Sequence, residues 1–96
     1  MDEVKQDLNG QTARIRWTEL QRFFAQGRVL NVAEGTDLVA VAAALANDDT
    51  AQVKIWQHEG VVSPVSDAQA SKWFDRDDEV WAVTVAPFVL VQAVTA

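Results

Sequence analysis

The residues best suited to chemistry are four carboxylates in the stretch FDRDDEVW: Asp75, Asp77, Asp78 and Glu79. Clustered carboxylates bind magnesium or calcium, and they also serve in acid–base catalysis. The spacing lacks the glycine and late glutamate of a calcium-binding loop, and Arg76 neutralises part of the charge. The favoured interpretation is a solvated turn that limits aggregation of the valine-rich strand behind it. No metal and no cofactor is predicted.

Other candidates for catalysis are few. His58 is the only histidine and the chain has no cysteine, which excludes two-histidine and thiolate metal sites as well as disulfides. His58 is predicted to end a helix, where a cationic side chain interacts favourably with the helix dipole. Asp48 and Asp49 precede the same helix, where acidic side chains are favoured. The sequence contains no nucleophile elbow, P-loop or dinucleotide fingerprint, so no catalytic residue is assigned.

The candidate binding residues are the four tryptophans: Trp17, Trp56, Trp73 and Trp81. All four fall on predicted apolar faces, where core packing is the default role. Tryptophan is also enriched at interfaces, so one or two of them are candidates for a pocket or a docking surface. Trp56 is expected to be partly exposed because its predicted helix is short and otherwise polar.

Composition predicts one globular domain over residues 1–96, with residues 1–10 as a loosely attached N-terminal turn. Hydrophobic residues make up 49% and charged residues 23% of the chain. The net charge of −6 disfavours nucleic-acid binding, because an acidic surface repels phosphates. The acidic start MDEVKQD does not resemble a signal peptide, which favours a cytoplasmic location. The uncharged run from Val80 to Ala96 is rich in valine and contains Pro87, which favours strands over a membrane span.

The first predicted element is a helix over residues 11–26. Its apolar residues share one face at helical spacing: Ala13, Trp17, Leu20, Phe23 and Phe24. A second apolar stripe runs through Val4, Leu8 and Ile15. Either Asn9-Gly10 divides this region into two helices, or one long helix covers residues 2–26. We favour one long helix.

The remaining predicted elements alternate between strands and three short helices. The segment RVLNVA, residues 28–33, predicts a strand, and DLVAVAAALAN predicts a buried helix capped by Thr36 or Asp37. Capping-box spacing predicts the starts of two further helices, at Asp49 with Gln52 and at Ser66 with Gln69.

The extended segments near the end of the chain complete a small sheet. VVSPV, residues 61–65, predicts an edge strand because Pro64 cannot donate a ladder hydrogen bond. Residues 80–94 form either a hairpin or one strand bent at Pro87. Their two faces are both apolar, which is typical of strands covered on both sides.

The predicted fold class is α+β: a single compact domain with a long N-terminal helix and three short helices packed on a small sheet of three to four strands. These few helices offer little surface to cover both faces of the last strands. We therefore expect self-association, with a second copy completing the burial in a homodimer.

Four stretches of the sequence resemble a family of small bacterial proteins, the domain-of-unknown-function 2288 family. They are RIRWTELQRFFAQGRVL, DLVAVAAALANDD, PVSD and WAVTVAPFVLVQ, and the resemblance covers roughly Thr12 to Gln92. The resemblance implies a free-standing bacterial protein of about this length. It implies no activity, cofactor or catalytic residue.

Three functions follow in order of preference. The first is a non-catalytic protein-interaction or regulatory module that self-associates through an apolar-aromatic surface with an acidic rim. The second is a small-molecule-binding domain with a pocket between the sheet and the N-terminal helix. The third is a hydrolase-like enzyme that uses the acidic cluster Asp75–Glu79. Neither nucleic acid nor membrane is expected as a partner.

Overall fold

The computed structural model describes residues 12–94, which form an α+β domain with one sheet. The five strands are β1 (Ala13–Arg16), β2 (Val29–Val32), β3 (Val62–Pro64), β4 (Glu79–Val85) and β5 (Phe88–Ala93). A 3-10 helix spans Trp17–Leu20, and the α-helices are α1 (Gln21–Ala25), α2 (Leu38–Ala46), α3 (Thr50–His58) and α4 (Asp67–Asp75). None of the helices in the described part of the chain is long and apolar enough to cross a membrane.

The sheet has the strand order β1-β4-β5-β2-β3, so it contains five strands and not the predicted three to four. The pairs β1–β4, β4–β5 and β2–β3 are antiparallel, whereas β2 and β5 are parallel. The predicted edge strand with Pro64 is β3, at one edge of the sheet. The segment at residues 80–94 is a hairpin rather than one bent strand, and its turn contains Ala86 and Pro87.

The prediction of a long N-terminal helix is wrong within the described residues. Residues 13–16 form β1, and only residues 17–25 are helical, first as a 3-10 helix and then as α1. The backbone N–H of Trp17 donates to the carbonyl of Asp78 at 2.9 Å, which continues the β1–β4 ladder to the first helical residue. The helical spacing from Trp17 to Phe24 is real, but Ala13 belongs to a strand. Residues 2–11 of the predicted helix, and the N-terminal turn at residues 1–10, lie outside the described residues.

The predicted helix starts are confirmed, and each cap accepts hydrogen bonds from the first turn. The Asp37 carboxylate accepts from the N–H groups of Val39 and Ala40, at 3.0 and 3.2 Å. The Asp49 carboxylate accepts from the N–H of residue 52 at 3.2 Å, and the Ser66 hydroxyl accepts from that of residue 69 at 3.1 Å. Each bond satisfies N–H groups that the helix itself leaves unpaired.

Helices lie on both sides of the sheet and bury two separate apolar clusters. On the first side, here called the Trp17 side, the 3-10 helix, α1 and α4 pack on Val29, Val80, Ala82, Val89 and Val91. On the other, the Leu90 side, α2 and α3 pack on Val32, Val62, Val83 and Leu90. On the Leu90 side the buried cluster includes Val83 of β4 but not Trp81, which is 37% exposed.

Candidate interaction surface

Trp81 lies on the Leu90 side of β4, at the end of the sheet that α2 and α3 do not cover. Its side chain is 37% exposed, although Val80 and Ala82 on either side of it are buried. The antiparallel register places Arg14 of β1 opposite Trp81 and Arg16 opposite Glu79. Directly opposed residues project to the same face of a sheet, so these side chains share one surface.

We call this surface the Trp81 face and define it as Arg14, Arg16, Asp77, Glu79 and Trp81. Two ion pairs run across it. A guanidinium nitrogen of Arg14 lies 3.2 Å from a carboxylate oxygen of Glu79, and one of Arg16 lies 3.8 Å from an oxygen of Asp77. The surface therefore places both signs of charge beside one large aromatic ring.

The Arg14 guanidinium also lies over the indole of Trp81. Its central carbon is 5.7 Å from the ring centroid, within the range of a cation–π interaction. Such contacts at exposed sites contribute about 0.5–1 kcal/mol. Arg14 thus contacts both the Trp81 ring and the Glu79 carboxylate.

The boundary of the Trp81 face is fixed by Gln92 on the neighbouring strand. Gln92 is paired with Trp81 in the β4–β5 hairpin. Its side-chain amide donates to the carbonyls of Ala33 and Thr36, at 2.9 and 2.7 Å. These bonds hold the loop between β2 and α2 against the sheet, and Val83, two residues along β4, is buried in the cluster that α2 covers. The covering layer therefore ends between Val83 and Trp81.

The acidic cluster forms the turn from α4 to β4. Asp75 ends α4, Asp77 adopts a left-handed conformation with φ of 50°, and Glu79 begins β4. Arg76 lies 3.5 Å from a carboxylate oxygen of Asp78, so each of the last three acids has an arginine partner. Asp77, Asp78 and Glu79 line an open cleft of about 360 Å³ that also includes Trp73 and Val94. Among residues 12–94, no group of three acidic or histidine side chains is arranged to hold a metal ion.

The other three tryptophans lie in or against the core. Trp17 is fully buried, with its ring centroid 4.9 Å from that of Trp73 and 5.5 Å from that of Phe24. The Trp17 Nε1–H has no hydrogen-bond partner among the described residues. Trp17 and Trp73 occupy the space between the sheet and the first helices, where the sequence predicted a pocket. Trp56 is half-buried against the Leu90-side cluster and is less exposed than Trp81.

A second shallow cleft, of about 330 Å³, lies between α1 and α4. Phe24, Ala70 and Phe74 give it an apolar lining, and the Phe74 side chain is 55% exposed. His58 is exposed at the last residue of α3, the helix end predicted for it. It is not among the residues that line either cleft.

Sequence reasoning missed the contribution of Arg14 and Arg16. Placed on a helix, the two arginines point in different directions and form no common surface. On a strand, residues two apart project to the same face, and the alternation Arg14-Ile15-Arg16 was the available signal. Ile15 packs on the Trp17-side cluster, as this alternation requires.

The fold and this surface define a small α+β domain with a mixed sheet between two helical layers, one of them incomplete. The chain belongs to a family described as "Protein of unknown function (DUF2288)", whose model matches residues 3–93. This confirms the resemblance inferred from the sequence. The solution NMR structure of PA1075 from Pseudomonas aeruginosa is similar, with 43% sequence identity and a TM-score of 0.84, and the alignment covers 100% of this chain and 89% of that one. No curated protein matches this chain.

Proposed function

We propose that this protein is a non-catalytic, cytoplasmic interaction module whose working surface is the Trp81 face. The observation that carries the proposal is the 37% exposure of Trp81 within a strand whose flanking residues, Val80 and Ala82, are buried. A partner that covers this ring removes apolar area from water, which is the main favourable term in protein association. Tryptophan and arginine are also the residue types most enriched in the energetic centres of interfaces.

The charges around Trp81 support recognition rather than catalysis. The carboxylates of Asp77 and Glu79 are paired with Arg16 and Arg14, at N–O distances of 3.8 and 3.2 Å. Both carboxylates therefore already have a charged partner within the chain. Paired charges at the rim of an aromatic patch instead fix the orientation of a partner and exclude partners with a mismatched pattern.

Site-specific photocrosslinking tests the proposal directly. A photoreactive phenylalanine derivative replaces Trp81 in the full chain, which is expressed in its native host and irradiated. We expect a discrete protein–protein crosslink from position 81. Matched controls place the same group at Ile55 on α3 and at Phe74 on α4, whose side chains are 53% and 55% exposed.

The controls decide what a crosslink means. Both control positions are more exposed than Trp81, so random collisions would label them at least as strongly. Crosslinks that are equally frequent at all three positions, or absent at position 81, would contradict an interaction role for the Trp81 face.

A further inference from the structure

We infer that the partner of the Trp81 face is the same face of a second copy of this chain, related by a two-fold axis that lies between the two sheets. This inference rests on the proposed function and identifies the partner. A two-fold interface requires a surface that complements itself, because each group meets the partner's copy of the same patch. The Trp81 face meets this requirement in charge and in apolar character.

The charges of the Trp81 face can complement those of a second copy. The face carries two arginines and two carboxylates beside one aromatic ring. A patch of a single sign would bring like charges together, whereas this patch lets the arginines of one copy face the carboxylates of the other. With the adjoining pair Arg76–Asp78, the six charges sum to zero, although the whole chain carries −6. The two copies would therefore meet at a patch whose paired charges cancel, although each chain as a whole is acidic.

The ion pairs within one chain are suited to exchange. The side chains of the Arg14–Glu79 and Arg16–Asp77 pairs are between 46% and 65% exposed, so water already competes for their pairing. Exchanging these pairs for the equivalent pairs across the interface keeps their number constant. In the dimer the Trp81 ring is removed from water, and this apolar burial is the favourable term that α2 and α3 do not provide within one chain.

Packing face to face is favoured over joining the two sheets at their β1 edges. In an antiparallel two-fold pairing centred on β1, the residues of one strand oppose those of its copy. Centring on Ile15 places Arg14 opposite the partner's Arg16, and centring on Arg14 places it opposite the partner's Arg14. Like charges directly opposed on neighbouring strands are destabilising. The arginines that disfavour an edge-to-edge dimer are the same residues that complement carboxylates when the faces meet.

The test uses two full-length variants with opposite charge patterns. R14E/R16E leaves only negative charges on the Trp81 face, and D77N/E79K leaves only positive charges on it. Asparagine is used at position 77 because it tolerates the left-handed backbone of Asp77. We expect the wild-type chain to be a dimer by sedimentation velocity at low salt. Each variant alone should have a dimer dissociation constant raised by about a hundredfold or more, because like charges meet.

Mixing the two variants in equal amounts should restore a dimer that contains one copy of each. Native mass spectrometry distinguishes this heterodimer by mass, and W81A in either component should weaken it by at least about thirtyfold. The circular dichroism spectrum of each variant reports folding. A wild-type chain that stays monomeric at high concentration, or a mixture that forms no heterodimer from folded variants, would overturn the inference.

A measurement on the unmodified chain covers the case in which a variant fails to fold. A mixture of isotope-labelled and unlabelled wild-type protein should give intermolecular nuclear Overhauser effects from the Trp81 indole to a second copy. If the Trp81 indole is protected from solvent to the same extent at all protein concentrations, another part of the same chain covers it. That result would overturn the inference. A monomeric chain that still crosslinks to a different protein from position 81 overturns the second copy as partner but leaves the interaction module standing. A chain that neither dimerises nor crosslinks to any protein from position 81 contradicts both the second copy as partner and the interaction module.

Discussion

The two sides of strand β4 share one backbone but differ in their surroundings. On the Trp17 side, Val80 and Ala82 are buried beneath the 3-10 helix and α4, and Trp17 fills the layer between them. On the Leu90 side, Val83 is buried under α2, but Trp81 at the end of the same strand remains 37% exposed. Two tryptophans thus lie on opposite sides of one strand, one inside the core and one at the surface.

This difference shows that a small domain can cover one face of its sheet with helices more completely than the other. A chain of 96 residues buries a smaller fraction of its surface than a larger one. Here three helical segments cover the Trp17 side, whereas two helices cover part of the Leu90 side. Both faces of β4 are therefore buried within the chain at Ala82 and Val83, whereas at Trp81 one face remains exposed to water.

The largest expected effect comes from removing the buried tryptophan. Trp17→Ala should lower the free energy of unfolding by about 3–5 kcal/mol, because it empties a large volume in the core. Trp81→Ala is the matched control, and it should cost less, about 1–2 kcal/mol, because part of its ring already contacts water. Urea denaturation in dilute protein, where association adds nothing to stability, measures both values. Equal losses would show that the two sides of β4 do not differ.

A smaller effect is expected from one hydroxyl group on the buried side. Val80→Thr conserves shape but places an oxygen where Val80 is fully buried, so it should cost about 1–3 kcal/mol. Thr84→Val is the control, because residue 84 lies on the same side of the same strand but is exposed. Its change should stay within about 0.5 kcal/mol. The midpoints of thermal unfolding compare the two variants. A Val80→Thr variant as stable as the wild type would show that water reaches the packing between β4 and the helices on the Trp17 side.

The optical signal of Trp81 separates exposure from stability. Trp81→Phe should leave the free energy of unfolding within about 1 kcal/mol of its original value, while removing the most acrylamide-accessible part of the fluorescence. Trp17→Phe should leave that accessible part in place, because Trp17 is fully buried. Quenching titrations on both variants make the comparison. Similar quenching constants after either substitution would contradict the assignment of Trp81 to the surface.

The smallest expected effect is the coupling between Arg14 and Glu79. A double-mutant cycle with Arg14→Ala and Glu79→Ala should give about 0.2–1 kcal/mol, because both side chains are solvated. The coupling should fall in about 1 M salt, where the screening length is about 3 Å. Denaturant titrations in dilute protein at both salt concentrations provide the values. A coupling that exceeds this range and resists salt would indicate a buried pair.

Local signals predicted much of the fold because their causes are local. The caps Asp37, Asp49 and Ser66 act on N–H groups two or three residues away, and their spacing alone indicates where helices begin. The local signal of β1 is weaker, because it is limited to the alternation Arg14-Ile15-Arg16. The strand contains four residues, and Arg14 meets Glu79 across 65 positions of sequence, so helical periodicity that begins at Trp17 was extended over it.

The site was predictable only in part for a related reason. Sequence patterns identified four tryptophans on apolar faces, and Trp81 was one of them. Which ring stays exposed depends on where α2 and the loop held by Gln92 end over the sheet. That boundary is set by packing between distant segments, and no spacing within WAVTVAPFVLVQ records it.

The strand order has a consequence for the timing of synthesis. β5, residues 88–93, lies at the centre of the sheet between β4 and β2. While a ribosome is still making the chain, β1 with β4 and β2 with β3 can form only two separate hydrogen-bonded pairs. β5 joins these two pairs, and it is the last of the five strands to be synthesised. Native pairing across the middle of the sheet therefore cannot be complete before residue 93 has been translated. At about 5–20 residues per second, this leaves seconds in which valine-rich segments are made before their partners exist.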